Sequence, residues 1–163
     1  ADKIAYWQNQ IPHAYIIPAS ATEKFNIEAI FEKILELLPQ NPPYFPKDEL
    51  TDKSMRFFVS EILREKILLY YQKEIPYSTE VAVESYQERE GIDHISVRIY
   101  VERESQKGII IGHEGKSIKK IGMEARKDIE EFTGKKCFLN IQVKVMKDWR
   151  NSDKALKRFG YDL

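Results

Sequence analysis

The stretch GIIIGHEGKSIKKIG, residues 108–122, runs from three consecutive isoleucines through a short glycine loop into a lysine-rich segment. Its middle ends like a phosphate-binding loop, G-x-x-x-x-G-K-[ST], because Gly115, Lys116 and Ser117 match the close of that motif. The first glycine of the motif would fall at position 110, which is Ile110. A β-branched residue does not readily take the backbone geometry that glycine supplies there. The loop is also two residues too short to wrap the phosphates of a nucleotide, and no acidic Mg2+ site on a following strand presents itself. The shorter G-x-x-G reading, Gly112-His113-Glu114-Gly115, needs less. Two glycines let the main chain approach a sugar–phosphate backbone closely. Gly115 leads into a helix N-terminus, where free N–H groups and the helix dipole favour an anion. Lys116, Lys119 and Lys120 lie on or beside that first turn, and Ile109, Ile110 and Ile111 offer apolar surface for bases. On its own G-x-x-G is common, and an ordinary helix–helix turn is the other reading.

The surrounding pattern gives the loop its context. Downstream, Gly122 is expected to break a short helix, and a further helix follows with Ala125, Ile129 and Phe132 inward, ending at Gly134. The last strand is CFLNIQVKV, with Cys137, Leu139, Ile141, Val143 and Val145 on one face. Upstream, a short helix covers Gln106–Ile111. Before it, Ile95, Val97, Ile99 and Val101 alternate with Ser96, Arg98, Tyr100 and Glu102, the pattern of a half-buried strand. A turn at residues 91–93 joins this strand to another over 79–88, with Val81 and Val83 on one face. A helix from Thr51 to Gln72 precedes them, with Val59, Ile62, Leu63, Ile67 and Tyr70 toward the core and Arg64, Glu65 and Lys66 solvated. The order is α-β-β-α-α-β, an α+β unit in which a glycine loop joins two helices. KH domains clamp a short single strand in this way.

Residues 39–49, PQNPPYFPKDE, are proline-rich and read as a stiff connector, with a long surface loop as the other reading. They divide the chain into residues 1–40, a linker at 41–50 and a domain at 51–163. In the first part a helix over 3–10 ends before Pro12, and Ala14–Ala19 reads as a strand. Asn26 is placed to cap a helix carrying Ile27, Ile30, Phe31, Ile34, Leu35 and Leu38 on one stripe.

Composition sets bounds on function. The 163 residues have a formal net charge of +0, but residues 105–163 hold 14 Lys+Arg against 8 Asp+Glu, and residues 1–104 hold 12 against 18. A basic half favours a polyanion partner, solvated surface charge being the bland reading. No apolar run is long enough to span a membrane, and no signal peptide opens the chain. The lone Cys137 excludes an internal disulfide and is expected in the core. His13, His94 and His113 stand far apart, with no nucleophile motif and no metal-ligand spacing beside them. These features point to a binding module. Trp149 is expected to pack the chain end onto the core, and a basic-aromatic RNA contact with Lys147 and Arg150 is the other reading.

Longer motifs carry a resemblance. YFPKDELTD, RFFVSEILREKIL, ERESQKGIIIGHEGKSIKKIGMEARKDIEEFTGKK and VKVMKDWR, spanning residues 44–150, resemble the C-terminal KH domain of the Era-type ribosome-assembly GTPases, and the closing FGYDL is similar too. WQNQIPHAYIIPASA resembles the end of the family's GTPase domain, with Ser20 and Ala21 at its last guanine-contacting motif. The resemblance implies a type II KH domain, a three-stranded sheet with helices on one face, preceded by a partial α/β GTPase-domain tail. It implies that Gly112–Gly115 bind the single-stranded 3′ end of small-subunit ribosomal RNA during subunit assembly. Arg98 and Lys144, on polar faces of their strands, are added as candidate lining of the RNA groove, with exposed solubilising charge as the other reading. The chain opens at Ala1 without the family's phosphate loop, switch regions and Asn-Lys-x-Asp motif, so it is expected to be a fragment that neither binds GTP usefully nor hydrolyses it. No cofactor is expected for this chain, while GTP and Mg2+ belong to the full-length relative. A cytoplasmic location is implied, and peripheral association with the inner face of the cell membrane is attributed to the family. One departure stands out. The middle pair of the family's loop often includes a basic residue; here it is His113-Glu114, so Glu114 is expected to repel a phosphate and His113 to stack or donate. A nucleotide-binding enzyme using GHEGKS and a KH-fold protein-interaction module are the alternatives.

Overall fold

A computed structural model describes residues 2–44 and 51–161 of the chain. The chain divides into two compact units, Ala1–Leu50 and Thr51–Leu163. The first holds α1 (Asp2–Gln10) and α2 (Ile27–Leu37). The strand expected over Ala14–Ala19 does not form, and the nearest ladder contact is an isolated bridge between Ser20 and Phe25. A strand requires a neighbour to satisfy its N–H and C=O groups, and none lies among the described residues of this unit. Asn26 does not cap α2 through its side chain. Its backbone is left-handed at φ 55°, and its amide donates to the Pro18 carbonyl at 2.9 Å. Asn tolerates that conformation and competes for local backbone groups. Residues 45–50 of the expected linker, and Asp162 and Leu163 of the closing FGYDL, lie outside the described residues.

The second unit follows the order α3 (Met55–Tyr70), β1 (Glu80–Gln87), β2 (Ile92–Val101), α4 (Glu104–Ile111), α5 (Lys116–Thr133), β3 (Lys136–Val145) and α6 (Asp153–Arg158). Its sheet has the order β1-β2-β3, with β1 antiparallel to β2 and β2 parallel to β3. The parallel pair is possible because the α4–α5 crossover returns the chain across one face. Val59, Leu63 and Ile67 of α3, Ile110 of α4, and Ile121, Ala125 and Ile129 of α5 pack there on Ile95, Val97 and Ile99. The KH-type architecture anticipated from the pattern is thus the observed one.

Several local expectations give way to packing. The helix α3 begins at Met55 rather than Thr51, whose hydroxyl instead accepts from the Lys53 N–H at 3.1 Å. Tyr70 is 40% exposed and Tyr71 takes the buried place. Lys66, expected in solvent, is buried along its stem and ends on Asp128 of α5, which raises its pKa. Arg64 reaches Glu80 of β1 at 2.8 Å. The helix α4 starts at Glu104, two residues early, because the Gln106 side chain reaches back to accept from the N–H groups of Glu102 and Arg103, both at 3.0 Å. Phe132 is 53% exposed and lies against Phe58, ring centroids 4.9 Å apart.

Gly122 does not break the helix, and α5 runs unbroken through it. A Cβ at 122 would stand 3.2 Å from Ile141 Cδ1 of β3, so the glycine serves the close approach of helix and strand. That contact outweighs a propensity cost of about 1 kcal/mol. At the far end of α5, Glu130 accepts from Lys136 at 2.7 Å, Arg126 at 2.9 Å and the Cys137 N–H at 3.1 Å, tying helix to strand.

The loop between α4 and α5 depends on both glycines, for different reasons. Gly112 has φ 72° and its N–H donates to Gly108 at 2.8 Å. A Cβ there would lie 2.1 Å from Ser117 Oγ and 2.6 Å from Ser117 Cβ. Gly115 also has φ 72°, but an added Cβ would meet nothing within 4 Å. Gly115→Ala should therefore cost only the left-handed penalty, about 1–2 kcal/mol, whereas Gly112→Ala must also displace α5. Thermal melts by circular dichroism should show the larger loss of Tm for Gly112→Ala, and equal losses would contradict the close approach.

The acid limb offers a second check. The cations of Lys136 and then Arg126, with the Cys137 N–H, hold the Glu130 carboxyl down to about 2, from an ordinary 4.5. A lowered folded-state pKa gives stability that is present above about 4.5 and lost as pH falls toward 2. Glu130→Gln should flatten acid unfolding in that window; an acid limb identical to the wild type would remove Glu130 from it.

Candidate nucleic-acid interface

Burial sorts the isoleucine run before the loop. Ile110 is fully buried, and its carbonyl accepts from Tyr71 Oη at 2.7 Å. Burial pushes the Tyr71 phenol up to about 12, so it remains a donor well into the alkaline range. Position 110, where a phosphate loop needs its first glycine, is thus a core anchor. Ile109 is exposed and Ile111 half-buried, leaving apolar surface at the loop's entry.

His113–Gly115 form a single 3-10 turn, with Glu114 left-handed at φ 53°. His113 and Glu114 both project into solvent. The carboxylate expected to repel phosphate is not bare: Lys116 Nζ lies 2.8 Å from it, and His113 Nε2 3.7 Å. Exposed pairs of this kind are weak, worth about 0–1 kcal/mol, so an incoming phosphate can compete for Lys116. The N-terminal turn of α5 follows directly, with its unpaired N–H groups and positive dipole end.

Beside the first turns of α5, which begin at the loop, lies a groove of about 310 Å3 between α5 and β3, lined by Ile118, Lys119, Gly122, Met123, Arg126, Leu139 and Ile141. It is apolar at its base and basic at its rim. Gly122, by lacking a side chain, lowers its wall. Apart from Lys119, none of these residues stands out for binding in the sequence. The signal that points to them is a glycine inside an amphipathic helix, which marks a close backbone approach.

The residues expected to bind do not all converge. Gly112, His113, Glu114 and Gly115 form the loop, Lys116 opens α5 directly after it, and Lys119 lines the groove. Lys120 turns the other way, its ammonium 4.6 Å from the centroid of the Tyr70 ring on α3. Arg98 and Lys144 alternate with core-facing neighbours on β2 and β3, so they stand on the opposite face of the sheet from α4 and α5. There Arg98 meets Glu84 at 3.2 Å. Ser20 and Ala21 belong to the first unit. Ser20 Oγ accepts from the Glu23 N–H at 3.2 Å, and Ala21 begins a turn closed by Lys24. Trp149 is buried edge-on to Phe159, centroids 5.5 Å apart, as packing of the chain end requires. Among the described residues no group of three or more His, Cys, Asp or Glu is placed to hold a metal ion.

Comparison with known proteins agrees with the fold. The KH domain family matches residues 74–150. GTPase Era of Geotalea daltonii is 46% identical over 162 residues, covering 99% of this chain and 54% of its own length. The chloroplast Era GTPase of Zea mays is 46% identical, covering 99% of this chain and 39% of itself. A crystal structure of an Aquifex aeolicus Era variant bound to GDP.AlF4- superposes with a TM-score of 0.89 at 34% identity, over 98% of this chain and 55% of that one. So does a structure of Era in complex with MgGDPNP and nucleotides 1506-1542 of 16S ribosomal RNA, with a TM-score of 0.89, 34% identity, and 98% and 54% coverage. The chain spans about half the length of the bacterial relatives it matches. It belongs to the Era family as the C-terminal part of such a protein, and it carries that family's KH domain.

Proposed function

We propose that the protein binds single-stranded RNA through the Gly112–Gly115 loop, and that its target is the 3′ end of small-subunit ribosomal RNA within the assembling small subunit. The observation that carries this reading is the succession of loop and groove along α5: a turn with positive-φ glycine at both ends, whose His113 and Glu114 side chains point to solvent, a helix N-terminus behind it, and a slot lined from Ile118 onward and carrying Lys119 and Arg126. The loop would take the sugar–phosphate backbone on main-chain N–H groups and Lys116, and the slot would take unstacked bases. The structure of Era with 16S ribosomal RNA nucleotides, similar over nearly the whole of this chain, supports the choice of target.

In this reading the chain performs no chemistry of its own. GTP and Mg2+ act in the full-length relative, through a domain that Ser20 and Ala21 would help to complete, and no cofactor is assigned to residues 1–163. The proposed ribosomal target places the site of action where small subunits assemble, which in a bacterial cell is the cytoplasm. Peripheral membrane association is a property attributed to the family, and among the described residues no helix is long and apolar enough to cross a membrane. The enzyme alternative loses its ground at Ile110, whose buried backbone cannot serve as a phosphate cradle.

Fluorescence anisotropy with a labelled RNA copying the small-subunit 3′ end tests the proposal. Wild-type protein should bind with an affinity that falls as salt rises. Lys116→Glu/Lys119→Glu should weaken binding about tenfold or more, and should reduce the salt slope by about 1 for each phosphate no longer neutralised. Gly115→Asp, which meets open space, should weaken binding without unfolding the chain. A folded wild-type chain with no measurable RNA affinity would overturn the proposal in favour of a protein-interaction module.

A further inference from the structure

The face of the sheet turned away from α4 and α5 is only partly covered. At one end the C-terminal segment closes over it: Phe159 packs on Tyr100, centroids 5.1 Å apart, and Arg158 reaches Tyr100 Oη at 3.0 Å. Beyond Tyr100 the face is open. The parallel register puts His94 beside Phe138, Arg98 beside Gln142 and Tyr100 beside Lys144. Phe138 is 56% exposed, and its ring lies 5.5 Å from that of His94, tilted by 41°. A large aromatic on an exposed strand, with no core to fill, is a stacking surface in search of a partner.

The polar groups around it are of the kind that reads bases. Asn140, Gln142 and Lys144 follow Phe138 along the exposed side of β3, and none forms a side-chain hydrogen bond or ion pair among the described residues. Amide side chains offer donor and acceptor together, matching base edges. The charge at the other end is unbalanced. Arg98 and Arg158 both lean on one carboxylate, Glu84, at 3.2 and 3.5 Å, and Lys144 adds a third cation nearby in register. Glu80, the register partner of Tyr100 on β1, is already paired with Arg64, so these three cations share Glu84 alone and leave the face complementary to a polyanion.

We infer that the open face of the sheet is a second single-stranded RNA surface, on which Phe138 and His94 stack bases, Asn140 and Gln142 contact base edges, and Arg98, Arg158 and Lys144 hold phosphates. The inference rests on the proposed RNA-binding function and extends it: an RNA clamped at the glycine loop would continue across the sheet. Arg98 and Lys144, expected from the sequence at the loop groove, then serve the same ligand from the other side. The exposed aromatic at an open sheet face parallels the way RRM sheets stack two or three bases.

Two RNA lengths separate this surface from the loop. A KH loop clamps about four nucleotides, so an RNA of roughly five fills the loop and groove alone, whereas one of roughly fifteen can also reach the sheet. Phe138→Ala/Lys144→Glu should leave the affinity for the short RNA unchanged and lower that for the long RNA about tenfold, as expected when one base stack and one phosphate pairing are removed. Circular dichroism establishes that the variant is folded. As a second readout, 2-aminopurine in the distal part of the long RNA should be quenched by wild-type protein and not by Phe138→Ala. If the folded double variant binds the long RNA as the wild type does, the sheet surface is refuted and the loop reading stands. Equal weakening for both lengths also refutes a separate surface. Failure of wild-type protein to bind the short RNA overturns the loop reading, and this inference with it.

Discussion

The α4–α5 turn closes because residue 112 has no side chain. Ser117, in the first turn of α5, occupies the space a Cβ would need, so α5 can begin immediately after the loop and fold back beside α4. That reversal sends the chain across the sheet in the sense that lets β3 join β2 in parallel over ten residues. The buried bond from Tyr71 to the Ile110 carbonyl anchors the same corner to α3. A wider turn would separate α5 from the sheet and fill or abolish the groove that Gly122 keeps open.

The corner also concentrates the electrostatics. A helix N-terminus, Lys116 and Lys119 come within a few residues of one another, while the one carboxylate among them, Glu114, is engaged by Lys116. The His113-Glu114 pair is therefore a milder departure than its charge suggests. It exchanges one exposed, screened pair for a phosphate rather than presenting a bare negative charge. Stability is secured elsewhere, at Glu130 with Lys136 and Arg126, at Lys66 with Asp128, and at Asp93, whose carboxylate is held low in pKa by Lys135 and accepts from Tyr86. Those ties brace the helices and strands and leave the loop lysines available to a ligand.

Element order and type in the second unit are readable in the sequence because binary patterns match secondary-structure periods: alternation over residues 95–101 and 137–145, and helical spacing over Val59, Leu63 and Ile67. The loop is readable because glycine positions with positive φ leave few substitutes. The places where sequence and structure part share a cause. Local propensity makes Gly122 a breaker, Lys66 solvated, Phe132 inward and Ala14–Ala19 a strand, but at each a partner distant in sequence decides the outcome. Ile141 explains the glycine, Asp128 holds the lysine, Phe58 draws the phenylalanine along the surface, and no described neighbour pairs the strand.

The division follows from the range of the forces. Periodicity, turn chemistry and the long shared motifs specify helices, strands, the glycine loop and the family, since all are properties of residues close along the chain. Which faces meet is a property of packing. Alternation already puts Arg98 and Lys144 on the polar face of their strands, but only the folded sheet shows that the groove lies on the other face, where Met123 and Arg126 of α5 meet β3, because that meeting joins residues distant in sequence.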